Sequence, residues 1–274
     1  LLRFGQRLQS RLSFKSLTGS FNALEPLNLS LNKGGELQLQ NVHSKDMTIP
    51  KLKIKLLSLL QLSVTEASDL ELEQAAKITV NTDTLTWQGK NLRSQNIDIS
   101  LKPGKLTSPS GSIVINGLEL LTSPSETPPA LNLTADFDLS RVPLSARGVL
   151  STTHDLLHLD WSLSHNLTNE SGKLNFTLRP VQLSSATPLL ARMLADSGAF
   201  GMQAGTLAGT GQLRWHARQP FSGKINLVLD NIKGFYQTTT FAGLNTNMEL
   251  ALNDPALHIT ARTLSVKVLE PGLP

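Results

Sequence analysis

The 274-residue sequence contains no cysteine. It therefore has no disulfide framework and no thiolate metal site. Aromatic residues make up 5% of the chain, with one Tyr and three Trp. So few rings argue against a nucleic-acid platform, which stacks bases on aromatic side chains. They also cannot supply the two aromatic girdles of an outer-membrane barrel. Long apolar runs are missing as well. A membrane-spanning helix needs roughly 18–20 apolar residues, and the greasiest stretch, Leu56 to Val64, is broken by Ser58, Gln61 and Ser63. Charge is sparse at 17%, with a net charge of +4 scattered along the chain.

What the sequence has is alternation. Leu27, Leu29 and Leu31 are separated by Asn28 and Ser30, and Leu37 and Leu39 by Gln38. The rhythm returns at Ile97-Asp98-Ile99-Ser100-Leu101, Leu131-Asn132-Leu133, Ile225-Asn226-Leu227-Val228-Leu229 and Met248-Glu249-Leu250-Ala251-Leu252. A period of two marks strands with one apolar and one wet face. It recurs from end to end, so the chain is mostly β. The sequence begins Leu1-Leu2-Arg3 and ends just after a strand-like stretch, which suggests a segment of a larger protein. We expect residues 1–274 to form one continuous segment, with 122–130 (Thr-Ser-Pro-Ser-Glu-Thr-Pro-Pro-Ala) as an exposed loop within the sheet.

Two stretches depart from the strand pattern. Arg3, Arg7, Arg11 and Lys15 recur every four positions beside Phe4, Leu8 and Leu12, which suggests a basic amphipathic helix over 3–15. Such a helix would meet an anionic membrane surface; the alternative is a helix or strand docked on its neighbour. Thr187-Pro188 and Gly198 bracket Leu189, Leu190, Met193 and Leu194, which predicts a helix over 187–197. Gly34-Gly35 reads as a hairpin turn between two alternating runs, and Asn116-Gly117 as another tight turn. The alternation slips by one residue between Ile49 and Leu52 and again between Ala261 and Leu264. A bulge or turn at each slip would keep the apolar set on one face.

No pattern carries catalytic or metal chemistry. His154 and His158 are four apart, but the Glu of the zinc motif is missing, and Leu157, Leu159, Trp161 and Leu163 alternate as a strand. In a strand the two imidazoles would lie about 13 Å apart. Gly209-Thr210-Gly211 lacks the third glycine of a dinucleotide loop. The glycines at 201, 205 and 209 instead suggest turns or close backbone approach. We expect no enzyme activity, no metal and no cofactor.

The apolar face then becomes the candidate site. One arrangement for alternating strands is a closed sandwich with a dry core, as in a structural or adhesion-type protein. The other is a curled sheet whose apolar face lines an open groove occupied by hydrocarbon. Bare leucines would forfeit roughly 1.5–3 kcal/mol each, so an open face needs a ligand, and an aliphatic lining suits acyl chains.

Two short stretches favour the groove. Leu229-Asp230-Asn231-Ile232-Lys233-Gly234-Phe235-Tyr236, followed by Phe241-Ala242-Gly243-Leu244-Asn245-Thr246, resembles the YdbH family of large bacterial envelope proteins. Leu269-Glu270-Pro271-Gly272 resembles the turn that follows in that family. These are AsmA-like proteins, related in architecture to the bridge-type lipid-transfer proteins. The resemblance implies a long curled antiparallel sheet forming a β-groove in the bacterial periplasm. It also implies an inner-membrane anchor outside this sequence, movement of phospholipids between inner and outer membranes, and no catalytic residues.

The expected lipid-facing residues are Leu131, Leu133, Leu174, Phe176, Leu178, Ile225, Leu227, Leu229, Met248, Leu250 and Leu252. A strand edge near Leu264 to Val268 is the expected contact for a partner protein on the outer-membrane side. No nucleic acid is expected.

Overall fold

The computed structural model describes residues 11–15, 19–22, 27–43, 47–64, 69–82, 84–87, 90–94, 96–121, 130–152, 157–184, 200–217, 219–253 and 256–270. Every regular element among them is a strand, and pairing is antiparallel throughout. The chain divides into two compact units, Leu1–Gly148 and Val149–Pro274.

Unit 1 contains β1 (Arg11–Lys15), β2 (Gly19–Asn22), β3 (Leu27–Leu31), β4 (Glu36–His43), β5 (Met47–Leu56), β6 (Leu60–Val64), β7 (Leu70–Leu72) and β8 (Ala76–Thr82). They are followed by β9 (Leu85–Trp87), β10 (Lys90–Arg93), β11 (Asn96–Leu101), β12 (Gly104–Lys105), β13 (Ser110–Leu121), β14 (Leu131–Asp138) and the start of β15 (Leu144–Thr152). The main sheet runs β1-β4-β5-β8-β11-β13-β14. A hairpin of β9 and β10 extends it between β5 and β13.

A smaller sheet has the order β12-β7-β6-β3-β2. Its strands are continuations of main-sheet strands. β3 runs into β4, β5 into β6, β7 into β8, and β11 into β12, with two to four residues at each corner. The neighbour order is the same on both sides of the corner, so one margin of the sheet is folded over as a hem. Strands that change sheet through a bend are how orthogonal β-layers make corners. The bend is tied by hydrogen bonds from Gly34 N–H to Leu56 O (2.8 Å), Leu56 N–H to Gly35 O (2.9 Å) and Leu57 N–H to Lys77 O (2.8 Å).

This corner corrects one expectation. Gly34-Gly35 does not close a hairpin, because β3 pairs with β2 and β6 while β4 pairs with β1 and β5. Gly34, at φ 90°, supplies the left-handed residue that the corner needs.

The basic helix is also corrected in part. Residues 11–15 form β1, in register from Arg11 opposite Gln40 to Lys15 opposite Glu36. A short helix interrupted by Gly5 is marginal alone, and the edge of β4 offers this stretch ladder hydrogen bonds. Residues 3–10 of that stretch, the helix expected over 187–197 and loop residues 122–129 lie outside the described residues.

Asn116-Gly117 is a bulge inside β13, where the register shifts between Ile115 and Leu118. Gly117 N–H donates to Asn132 Oδ1 at 3.0 Å, which satisfies a donor freed by the bulge. The slip in β5 is not absorbed by a bulge. β5 stays in register with β4 from Lys55 to Thr48, so Ile49 lies on the face opposite to Ile54. The slip in the last long strand is absorbed: the register shifts between Asn247 and Met248, and Met248 stands opposite Ala261.

Unit 2 is an up-and-down meander. After β15 come β16 (His158–Asn166), β17 (Ser171–Ser184), β18 (Phe200–His216), β19 (Gln219–Tyr236), β20 (Thr239–Asn253), β21 (Ala256–Ser265) and β22 (Val268–Glu270). Bulges fall at one level across neighbouring strands: between Leu178 and Val181, between Met202 and Thr206, and between Leu229 and Gly234. Aligned bulges crease a sheet, because each bends and twists its own strand. The crease buries Val181, Leu183, Leu207, Leu229 and Ile232, and Ile232 is wholly inaccessible. Asn231, at φ 49°, takes the left-handed conformation at the bend, and its N–H donates to Asn245 Oδ1 at 2.7 Å.

Gly211 shows how the curled sheet packs above the crease. It stands opposite Phe176 on β17 and Ile225 on β19, and a Cβ there would fall inside the Phe176 ring. Valine at 211 is expected to lift that ring and destabilise unit 2 by about 1–3 kcal/mol, read as a lower urea midpoint. Adding Phe176→Ala should recover part of the loss. Strictly additive losses would show that the ring does not lie over Gly211.

Candidate functional site

The register of unit 2 aligns the alternating residues into cross-strand rows on one face. One row runs Trp161, Phe176, Gly211, Ile225, Leu250, Ile259. The next runs Leu159, Leu178, Gly209, Leu227, Met248, Ala261. A third runs Leu163, Leu174, Leu213, Gly223, Leu252, Leu257. Cross-strand partners point to the same side of a sheet. The expected residues Leu174, Phe176, Leu178, Ile225, Leu227, Met248, Leu250 and Leu252 therefore share one surface, and all are half-buried. Leu229 belongs to the buried cluster at the crease, and Leu178, Leu227 and Met248 of the second row pack against that cluster.

Leu131 and Leu133 lie in unit 1. Leu133 closes a row running Leu37, Ile54, Val80, Ile97, Ile115, Leu133. Leu131 stands opposite Leu118, past the bulge.

Sequence reading overlooked several members of these rows, namely Trp161, Leu213 and Ile259 in unit 2 and the aliphatic residues of unit 1. Their alternation was visible, but the strand pairing that places them was not. The glycines of β18 had a spacing signal and no visible partner. A Cβ at Gly209 would meet Leu227 Cδ2 at 2.9 Å.

The Trp215 indole lies where a Cβ of Gly172 would be. It stacks on His165 with ring centroids 6.0 Å apart, and its Nε1–H donates to His165 Nδ1 at 3.3 Å. This aromatic pair ends the aliphatic rows near the turn at 167–170.

The opposite face is wet and cross-linked. Arg179 grips Asp160 with two hydrogen bonds of 2.7 Å. That contact holds the Asp160 carboxyl below its usual range. Gln212 Nε2–H donates to Asn175 Oδ1 at 2.7 Å, and Arg214 Nε–H to Gln212 Oε1 at 2.8 Å. Glu249 accepts from Lys224 at 3.1 Å and from Arg262 at 2.5 Å, and these bonds lower its pKa, Lys224 first. These exposed pairs add little to stability, but they brace neighbouring strands on the face away from the rows.

Among the described residues, unit 2 contributes no second sheet to cover the aliphatic rows. Also among them, no group of three or more His, Cys, Asp or Glu is placed to hold a metal, and no helix is long and apolar enough to cross a membrane. The fold and this face define a class, that of all-strand proteins organised around an extended aliphatic sheet surface. The chain belongs to the YdbH-like family: the family model, described as that of the intermembrane phospholipid transport protein YdbH, matches residues 4–274. The match takes in the creased segment, where Asn231 is held by Asn245. No curated protein and no solved structure matches the chain.

Proposed function

We propose that this chain is a periplasmic segment of a protein that conducts phospholipids between the inner and outer membranes. Hydrocarbon tails lie along the aliphatic rows, and head groups stay at the wet edge. The observation that carries this reading is the set of half-buried aliphatic rows in unit 2 with no second sheet over them among the described residues. Monomers rarely leave more than a few hundred Å² of contiguous apolar surface bare, and a lipid tail relieves that cost without any chemical step.

In this reading an inner-membrane anchor is supplied by sequence outside these residues. β21 supports a strand-pairing partner on the outer-membrane side. It is exposed along its length, with Ile259 63% and Leu264 68% accessible, and an edge strand of this kind accepts an added strand.

Trp161 tests the proposal because it sits within a row. With Trp87→Phe and Trp215→Phe in place, Trp161 is the sole tryptophan. Its emission is expected to be quenched by phosphatidylethanolamine brominated on the acyl chain and left unchanged by the unbrominated lipid. Equal emission with both, together with no lipid recovered from the purified protein, would favour a closed dry core. One feature favours that second reading locally: the folded hem of unit 1 is a two-layered arrangement.

A further inference from the structure

The hem forms a half-open apolar pocket. Between the small sheet and the main sheet of unit 1 lies a cavity of about 280 Å³. Leu31, Leu60 and Leu62 approach it from the small sheet, and Ile54, Ala76 and Ile78 from the main sheet. Its remaining walls are Gly35 and further leucines, so no polar side chain lines it. Well-packed protein interiors hold few voids larger than a water molecule. A polar group placed here would lose its hydration without gaining a partner.

Size sets what fits. A core cavity of ~150 Å³ lined by aliphatic residues stays dry and takes benzene. Small-molecule sites begin at ~300 Å³. The hem cavity therefore accommodates one stretch of hydrocarbon and excludes both a second chain and a head group. A chain must enter with its methyl end first.

We infer that the folded margin of unit 1 is a pocket for the terminal end of a single hydrocarbon chain. The source is a phospholipid tail or a free fatty acid. The inference rests on the proposed lipid function for the first source only. The four paired corners hold the pocket at a fixed position on the sheet margin: Gly34-Gly35 and Leu57 are tied to neighbouring strands, Glu73 N–H donates to Gln61 O at 3.0 Å, and Lys102 N–H donates to Ser110 O at 2.9 Å.

Photo-cross-linking tests this on the chain as it stands. Three probes are used: phosphatidylcholine vesicles with a diazirine at the end of one acyl chain, vesicles with the diazirine beside the chain's carbonyl, and a free fatty acid with a terminal diazirine. Adducts are mapped by peptide mass spectrometry. The expected result is labelling of residues 54–62 and 76–78 by a terminal diazirine and none there by the carbonyl-proximal one. Labelling by the terminal phospholipid probe assigns the pocket to a lipid tail. Labelling by the fatty acid alone assigns it to free acid.

Equal labelling from both phospholipid probes would overturn the inference. So would adducts confined to 225–252, which would leave the proposed function standing. Adducts nowhere would overturn both. Ala76→Leu, which fills the cavity, is expected to abolish terminal-probe adducts at 54–62 while those at 225–252 persist. Retention of the former in folded protein would also overturn the pocket.

Discussion

Alanine in place of Ile232 is expected to destabilise unit 2 by about 2–5 kcal/mol. Ile232 is wholly inaccessible at the crease, packed among Val181, Leu183, Leu207 and Leu229. The same substitution at Ile259, which is 63% accessible, should stay within about 0.5 kcal/mol. Urea unfolding followed by circular dichroism measures both. The contrast separates the two kinds of apolar residue in this sheet, those that hold the crease together and those that stand in the rows. Similar losses at the two positions would mean that something covers β21 and that the rows there are ordinary core.

Aspartate at Leu227 is expected to cut phospholipid transfer between donor and acceptor vesicles about a hundredfold. Leu227 occupies the middle of a row, flanked by Gly209 and Met248. A carboxylate facing hydrocarbon costs about 2.5–3.5 kcal/mol on insertion scales, and each 1.4 kcal/mol is a factor of about ten. Leu227 is half-buried and also packs against the crease cluster, so some stability is lost as well, and transfer is compared on variant protein that keeps its strand signal. Val228→Asp is the control. Its side chain points to the wet face and is 46% accessible, so transfer should be unchanged. An equal loss from both variants would sink the assignment of the two faces.

Alternation alone placed the strands around Ile225 to Leu229 and Met248 to Leu252, and with them the facing of those side chains. A strand's period is local, and sequence displays local information directly. Partner choice is non-local, which is why other features were misread. Gly34-Gly35 carries the same signal whether the chain doubles back as a hairpin or bends from one sheet to another, and only the strands paired on either side decide. The i, i+4 rhythm of Arg7, Arg11 and Lys15 describes a plausible helix until β4 offers residues 11–15 an edge. The β5 slip resembles the one in β21, yet only β21 resolves it with a bulge. The crease was hidden in the segment that carried the family resemblance, because Asn231 and Asn245 are fourteen residues apart and meet only across paired strands.

The glycines beneath Phe176 and Leu227 shape the texture of the aliphatic face. At Gly211 and Gly209 the neighbouring side chains lie down over bare backbone where a row would otherwise rise. Ridges are lowered where they would stand and hollows are filled where they would open. Dispersion contacts, each worth only ~0.1–0.2 kcal/mol, are then spread evenly along a row. On the proposed function, a lipid tail sliding along such a face would meet shallow steps in place of deep wells, as on a low-friction track.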